Sequence, residues 1–134
     1  REDLQFTAVD PAEGMLKFSA EYIRTHKGYA EMLPFEGNSF DAILIGEALH
    51  HFTDVDRSIE EIVRVLMNNG RLFIYDFDTG TFIGKMLCRI EKIFGEPGNF
   101  FTPHDLQVKL ESYGFCCSVT NHGWRYTVDA LLKK

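Results

Sequence analysis

Two short apolar runs, separated by one amphipathic segment, constrain this chain more than any other feature. The runs are residues 40–45 and residues 72–75, and continuous apolar runs of this kind are typical of strands buried on both faces. The segment between them has apolar residues at helical spacing: Ile59, Ile62, Val63 and Leu66. Asn68-Asn69-Gly70 predicts a helix stop and a tight turn. The stretch therefore predicts a strand, a crossover helix and a parallel strand, the unit of an open α/β sheet.

The segment before this unit predicts one strand and then a helix. Residues 4–9 have strand composition, and the strand ends at Asp10-Pro11, where Asp10 is a good N-cap and Pro11 a good first helical residue. Residues 22–26 leave two interpretations open, because they could continue that helix or form a short edge strand. In the central unit, Thr53 or Asp54 is expected to cap the crossover helix.

The segment after the central unit predicts two helices and a hairpin. Residues 81–94 carry a wide apolar stripe, and Thr102 followed by Pro103 starts a further helix that Gly114 ends. Residues 115–120 and 124–132 are predicted strands. Because only a few residues separate them, they are expected to pair antiparallel.

Composition restricts the class of protein. A chain of 134 residues suits a single domain, and twelve phenylalanines argue against disorder. The net charge of −6 argues against a nucleic-acid partner, for which a basic face would be expected. No run of about 18 apolar residues occurs, so no membrane span is predicted. Three cysteines without a zinc-site or disulfide pattern favour a reducing, cytoplasmic setting.

Several motifs of the central stretch occur together in one known family. They are Leu33-Pro34-Phe35, Ser39-Phe40-Asp41, Leu49-His50-His51 and Arg64-Val65-Leu66 with Gly70. This combination resembles the class I S-adenosylmethionine-dependent methyltransferases, specifically the branch that includes the ubiquinone and menaquinone C-methyltransferases. The family has a second glycine where this sequence has Arg71. The resemblance runs from Phe6 to the end and implies a Rossmann-like α/β fold, with an open, mostly parallel sheet and a C-terminal antiparallel hairpin.

The resemblance implies S-adenosylmethionine as cofactor and indicates which residues bind it. Asp10 takes the position of the acidic residue that binds the ribose hydroxyls at the end of a strand. In the next loop the family has Gly-Asp-Ala, where this sequence has Gly28-Tyr29-Ala30. Tyr29 can stack or offer a hydroxyl but cannot act as a carboxylate acceptor. Ala30 and Glu31 are predicted to make backbone contacts with the adenine.

The loop after the first apolar run is predicted to face the methyl-donor site. Backbone groups of Gly46 and Glu47 are expected to approach the methionine part of the cofactor. His50 or His51 is the candidate catalytic residue, because an imidazole could orient the substrate or act as a general base near neutral pH. The simpler interpretation is that one histidine packs and the other is solvated.

Two aspartates after the second apolar run are expected to face the same cleft. Asp76 and Asp78 could bind substrate, or they could serve the turn that contains Gly80.

The sequence gives no clear metal site. His50, His51, Asp54 and Asp56 are suitable ligand types. Adjacent histidines on a loop rarely converge on one ion, so no bound metal is predicted.

A Gly-rich loop is not found in this sequence. The family places such a loop about 20 residues before the acidic residue, and no Gly-x-Gly occurs anywhere here. The family's first strand would lie between the strand ending at Asp10 and the strand 40–45, and without it both expose unpaired backbone groups. Three outcomes are open: the chain is an N-terminally incomplete fragment, a second copy lends a strand in an exchanged homodimer, or the two strands close up directly.

The resemblance implies methyl transfer from S-adenosylmethionine to a small-molecule acceptor. The competing interpretation is a degenerate, non-catalytic methyltransferase-fold module that acts through partner binding or dimerisation. The absent Gly-rich loop and Tyr29 favour the second interpretation, whereas Asp10 and the loop from Gly46 to His51 favour the enzyme.

Overall fold

The structure, a computed structural model, describes residues 3–95 and 98–134. Its strands, in chain order, are β1 (Phe6–Asp10), β2 (Ile23–Lys27), β3 (Phe40–Gly46), β4 (Leu66–Phe77), β5 (Phe115–His122) and β6 (Arg125–Leu132). Its helices are α1 (Glu13–Leu16), α2 (Val55–Val65), α3 (Phe82–Ile93) and α4 (Pro103–Ser112), and a single 3₁₀ turn covers Leu49–His51. The architecture is α/β.

The predicted central unit and the predicted hairpin are both confirmed. β3 pairs in parallel with β4, and α2 connects them. β6 pairs antiparallel with both β4 and β5, which gives a four-stranded mixed sheet of order β3-β4-β6-β5. β1 and β2 form a separate parallel pair. The last strand of the chain therefore lies inside the sheet, between β4 and β5.

The first helix begins later than predicted. α1 starts at Glu13, with Ala12 as its N-cap, so Asp10 does not cap it. Asp10 instead belongs to β1, and its Oδ1 accepts a hydrogen bond of 2.7 Å from the Ala12 amide. The short local turn that this bond closes delays the helix. Of the two interpretations of residues 22–26, the strand is correct.

The predicted stop at Asn68-Asn69-Gly70 lies inside a strand. α2 already ends at Val65, and the fully buried Leu66 is extended and pairs with Phe40. The next pair joins Ala42 to Arg71, so the ladder is irregular at this point. Asn69 has a φ of 63°, as expected of an asparagine in a tight bend. The chain does bend at Asn69, but because this segment pairs with β3, the bend is part of β4 and not the end of a helix.

The core lies between the four-stranded sheet and two helices. Its fully buried side chains come from α2, β4, α4 and β6, and include Ile59, Leu72, Ile74, Leu106, Leu110, Tyr126 and Val128. By contrast, the apolar stripe predicted for residues 81–94 is only partly covered: Ile83, Met86 and Ile90 are 39–46% exposed and Phe94 is 79% exposed, and only Gly84 of α3 is buried. None of the described helices is long and apolar enough to cross a membrane.

Replacing Gly84 with alanine is expected to displace α3 from the turn that follows β4. A β-carbon at this position would lie 1.7 Å from the carbonyl oxygen of Asp78, so backbone must move. We expect a loss of about 1–3 kcal/mol and faster amide hydrogen exchange across residues 82–93. Gly80→Ala is the control, because its β-carbon would meet side-chain atoms rather than backbone, at 3.1 Å from Asp78 and 3.8 Å from Thr102. Equal exchange in the two variants would contradict this account of α3.

The two sheets are joined through the segment 28–36, which follows β2. Arg64 donates to the carbonyl oxygens of Leu33 (3.1 Å) and Phe35 (2.7 Å), and Glu61 accepts from the Leu33 amide at 2.8 Å. Glu61 and Arg64 lie on one face of α2, so the helix holds this segment in place. In the described part of the chain β1 pairs only with β2 and β3 only with β4. Of the three outcomes that the sequence leaves open, direct closure of the strands ending at Asp10 and Gly46 is therefore not formed, and the strand-exchanged dimer stays a prediction.

Candidate functional site

The segment 28–36 connects the end of β1 with the start of α2. At one end, the Gly28 amide donates to the carbonyl oxygen of Asp10 at 3.2 Å. Further along, Oε1 of Glu31 accepts from the amides of Thr53 (2.8 Å) and Asp54 (3.1 Å). We call the 3₁₀ turn Leu49–His51 the histidine turn. These bonds place the residues predicted to bind adenine between the end of β1 and the residues Thr53 and Asp54, which follow that turn. The side chain of Glu31 thus has a structural role.

Asp10 lies at the carboxyl end of β1 and is half-buried. The Ala12 amide uses one of its oxygens, and each carboxylate oxygen has two lone pairs. The side chain therefore keeps acceptor capacity for a pair of hydroxyl groups.

Tyr29 and Ala30 lie in the bend of the same segment. Tyr29 forms an isolated antiparallel bridge with Met32 and is exposed, whereas Ala30 is half-buried. The Tyr29 ring is exposed to solvent, and its role toward the adenine stays a prediction.

Gly46 ends β3, and neither packing nor backbone conformation explains a glycine there. A β-carbon built on it meets no atom within 4 Å, and its φ is not in the left-handed region. When neither packing nor backbone conformation requires a glycine in a strand, the glycine often marks a position that a ligand approaches closely. This position is therefore suited to a ligand that contacts the backbone.

Glu47 redirects the chain directly after Gly46. Its φ is 50°, and its amide donates to the carbonyl oxygen of Tyr75 at 2.7 Å. Its carboxylate pairs with Arg125 at 3.1 Å, and Arg125 also donates to the Tyr75 hydroxyl at 2.7 Å and stacks on Trp124. The Glu47 side chain is thus held toward β4 and β6, and the bend leaves its backbone at the strand end.

His50 is buried beside Asp76. Only 4% of His50 and 5% of Asp76 are exposed, and Nδ1 of His50 lies 3.4 Å from Oδ2 of Asp76. The rings of Phe77 and Phe100 pack on the imidazole at centroid distances of 5.2 and 5.5 Å. The enclosed space next to it measures about 10 Å³, roughly the room for one water molecule. His50 is therefore fixed in orientation and cannot admit a substrate from this side.

Tyr126 forms part of the floor under this pair. It is buried, and this burial is the main cause that raises its pKa. The negative charges of Asp76 and Asp78 raise the pKa of Tyr126 further. The phenol therefore stays neutral, and it adds no negative charge beneath the imidazole.

His51 is exposed and lies against His50, with ring centroids 4.1 Å apart. The two aspartates of the metal alternative lie in other networks: Asp54 caps α2 by accepting from the Arg57 amide, and Asp56 binds Lys109 and Tyr113. Among the described residues, a different carboxylate, Glu91 of α3, joins the two histidines.

Asp78 serves the turn that contains Gly80, which is the second of the two roles that the sequence leaves open for it. Its Oδ1 accepts from the Gly80 amide at 2.8 Å, and its carbonyl accepts from the Thr81 hydroxyl. It also borders an open cleft of about 500 Å³ between the turn before α3, α4 and β5, together with Thr81, Thr102, His104 and Gln107. The predicted cofactor residues do not line this cleft.

The sequence did not reveal three of the residues in this region. Arg125, Phe100 and Glu91 lie far along the chain from Glu47 and the histidines that they approach. The sequence predicts a site role for Asp76, which follows the second apolar run, but only the structure shows that it pairs with His50. A motif-based search could have found only Asp76, because the other three lie in segments without a local signature.

Comparison with known proteins gives one family match and several similar chains. The family model described as "Methyltransferase domain" matches residues 1–74. The uncharacterized methyltransferase YcgJ of Bacillus subtilis is 45% identical over 56 residues, which are 42% of this chain and 22% of that protein. The ubiquinone/menaquinone biosynthesis C-methyltransferase UbiE of Legionella pneumophila is 38% identical over 72 residues, which are 54% of this chain and 27% of that protein.

A solved structure shares the fold over nearly the whole chain. It is a SAM-dependent methyltransferase of Thermotoga maritima, described as a possible histamine N-methyltransferase. The TM-score is 0.83 at 23% sequence identity, and the match covers 93% of this chain and 72% of that one. The match spans about a quarter of the length of each of these two curated relatives.

Proposed function

We propose that this chain binds S-adenosylmethionine and takes part in methyl transfer to a small-molecule acceptor. It belongs to the class I S-adenosylmethionine-dependent methyltransferases. The observation that carries the proposal is Gly46, a glycine at the carboxyl end of β3 that the protein's own packing does not require. Ligands of open α/β sheets bind at the carboxyl ends of the strands. The relative named for ubiquinone and menaquinone biosynthesis supports a small-molecule acceptor.

The residues present fit the cofactor in most respects. Asp10 would accept from the ribose hydroxyls, and the backbone at Gly46 and Glu47 would contact the methionine part. Tyr29 would stack on the adenine, with Ala30 and Glu31 contributing backbone groups. Tyr29 cannot supply the carboxylate that the family uses there, so recognition of the adenine amino group would depend on backbone acceptors. When bound, S-adenosylmethionine supplies a methyl group already activated on a sulfonium.

The chain's own task would be positioning. Methyl transfer without a covalent enzyme intermediate requires the acceptor to be held about 3–3.5 Å from the methyl carbon, with water excluded. His51 is exposed and next to the fixed ring of His50. We assign exposed His51 to the acceptor side, where it orients the attacking atom by hydrogen bonding, and buried His50 to holding the His51 ring in place.

Titration of the protein with S-adenosylmethionine tests the proposal directly. Isothermal calorimetry is expected to show one site per chain with a dissociation constant in the micromolar range. Absence of binding by folded protein, judged by circular dichroism, would contradict the proposal and leave the degenerate, non-catalytic interpretation.

Replacing Gly46 with alanine is expected to weaken this binding about tenfold, or about 1.4 kcal/mol. The added methyl group meets no protein atom within 4 Å, so the unfolding temperature should not fall. Gly14→Ala is the matched control, since Gly14 also meets nothing within 4 Å but lies in α1, away from the proposed contact. Equal affinities of the two variants would contradict close approach of the cofactor to Gly46.

A further inference from the structure

Three side chains of metal-ligand type converge at the histidine turn: buried His50, exposed His51 and half-buried Glu91. Among the residues that the structure describes, His50, His51 and Glu91 form the one group of three whose ligand atoms all lie within 4.8 Å of one another. Two come from the 3₁₀ turn after β3 and the third from α3. From these contacts we infer that the three residues form a binding site for a divalent transition metal of the zinc class.

Adjacent histidines on a loop rarely converge on one ion, but the tight turn at Leu49–His51 brings these two together. In an extended loop neighbouring side chains point apart, but Leu49–His51 is a 3₁₀ turn, and it brings the two rings to a centroid distance of 4.1 Å with planes inclined by 42°. Zinc bonds of about 2.0–2.1 Å in tetrahedral geometry require ligand atoms about 3.4 Å apart. Since the ligand atoms lie within 4.8 Å of one another, they need to approach by roughly 1.4 Å at most.

Asp76 gives the cluster the outer partner that metal-bound histidines usually have. A ligating imidazole commonly presents its second ring nitrogen to a carboxylate, which fixes the ring and raises its basicity. Nδ1 of His50 faces Oδ2 of Asp76 at 3.4 Å, and both residues are buried. This assigns Nε2 of His50 to the ion. The packing of Phe77 and Phe100 on the same ring holds it in that orientation.

The type and number of ligands indicate which metal fits. Two imidazoles favour zinc, copper, iron or nickel over magnesium or calcium, which prefer oxygen ligands. Three protein ligands leave a coordination position open, as in catalytic rather than structural zinc sites. That position would accept water or an oxygen atom of the acceptor. The ion's role thus rests on the proposed function, whereas its binding does not.

Zinc titration tests the inference without any substrate. Calorimetry with Zn²⁺ alone is expected to show one ion per chain, and ¹⁵N spectra should show ring-nitrogen shifts at His50 and His51 but not at the exposed His104. Glu91→Gln should weaken binding at least tenfold and His51→Ala at least a hundredfold, while His104→Ala leaves it unchanged. Both test residues are partly exposed or exposed, so the variants are expected to fold.

The outcomes separate this inference from the proposed function. No zinc binding, or binding that Glu91→Gln and His51→Ala leave unchanged, would overturn the metal site even if S-adenosylmethionine binds. Zinc binding without S-adenosylmethionine binding would support the metal site and overturn the proposed methyl-donor site.

Discussion

Replacing Asp10 with alanine is expected to weaken S-adenosylmethionine binding by about two orders of magnitude. A hydrogen bond to a charged group contributes about 1.5–3 kcal/mol, and the ribose hydroxyls would donate two of them to this carboxylate. The cost in stability is expected to be small, since within residues 3–95 and 98–134 this side chain makes one hydrogen bond, accepted from the Ala12 amide at an exposed position. Calorimetry gives the affinity, and urea denaturation gives the free energy of unfolding.

Asp10→Asn separates the two roles of the side chain. Asparagine keeps an oxygen that can accept from Ala12 but loses the charge and one acceptor, so it should lose affinity while it keeps the stability of the parent. Glu13→Gln, an exposed carboxylate in the first turn of α1, controls for a general loss of negative charge. If Asp10→Asn binds the cofactor as tightly as Glu13→Gln does, Asp10 serves only the local turn.

The sequence predicted the elements that carry their own periodicity. β3, α2 and the hairpin of β5 and β6 follow from apolar runs, helical spacing and turn residues, and the structure confirms them. It did not predict that β4 begins at Leu66, because that depends on pairing with Phe40. Nor did it predict the exposure of α3, whose apolar stripe is equally compatible with packing and with an uncovered face.

The site was predictable to the extent that its residues lie at strand ends. Asp10 and Gly46 end β1 and β3, and resemblance to a family then gives them a role. The contacts among His50, Asp76 and Glu91 were not predictable, because they join residues up to 41 positions apart, the difference between positions 50 and 91. In the same way Glu31 was predicted through its backbone, while the structure shows its side chain at the start of α2.

The largest expected effect on stability comes from Glu61, because it connects the two sheets. Its side chain is 7% exposed and forms a two-pronged ion pair with Arg64, at 2.7 and 2.8 Å, besides accepting from the Leu33 amide. These hydrogen bonds, with Arg64 the largest contributor, lower the pKa of Glu61 from 4.5 to about 2. Removal of one partner from a fully buried pair costs about 3–5 kcal/mol. Because Arg64 is 40% exposed, we expect Glu61→Gln to cost less, about 2 kcal/mol at pH 7.

The pH dependence of unfolding identifies the charge as the cause. A carboxylate with a lowered pKa in the folded state contributes stability that is complete above its unfolded pKa and is lost as the pH falls through its folded pKa. For Glu61 this range extends from about pH 4.5 down to about pH 2. Glu61→Gln should therefore lose less stability than the parent between pH 5 and about pH 2.5. Glu60→Gln is the control, because the Glu60 side chain is 54% exposed and, in the described part of the chain, pairs only with Arg57, so this variant should behave as the parent does. A parent-like pH profile in Glu61→Gln would contradict the assignment.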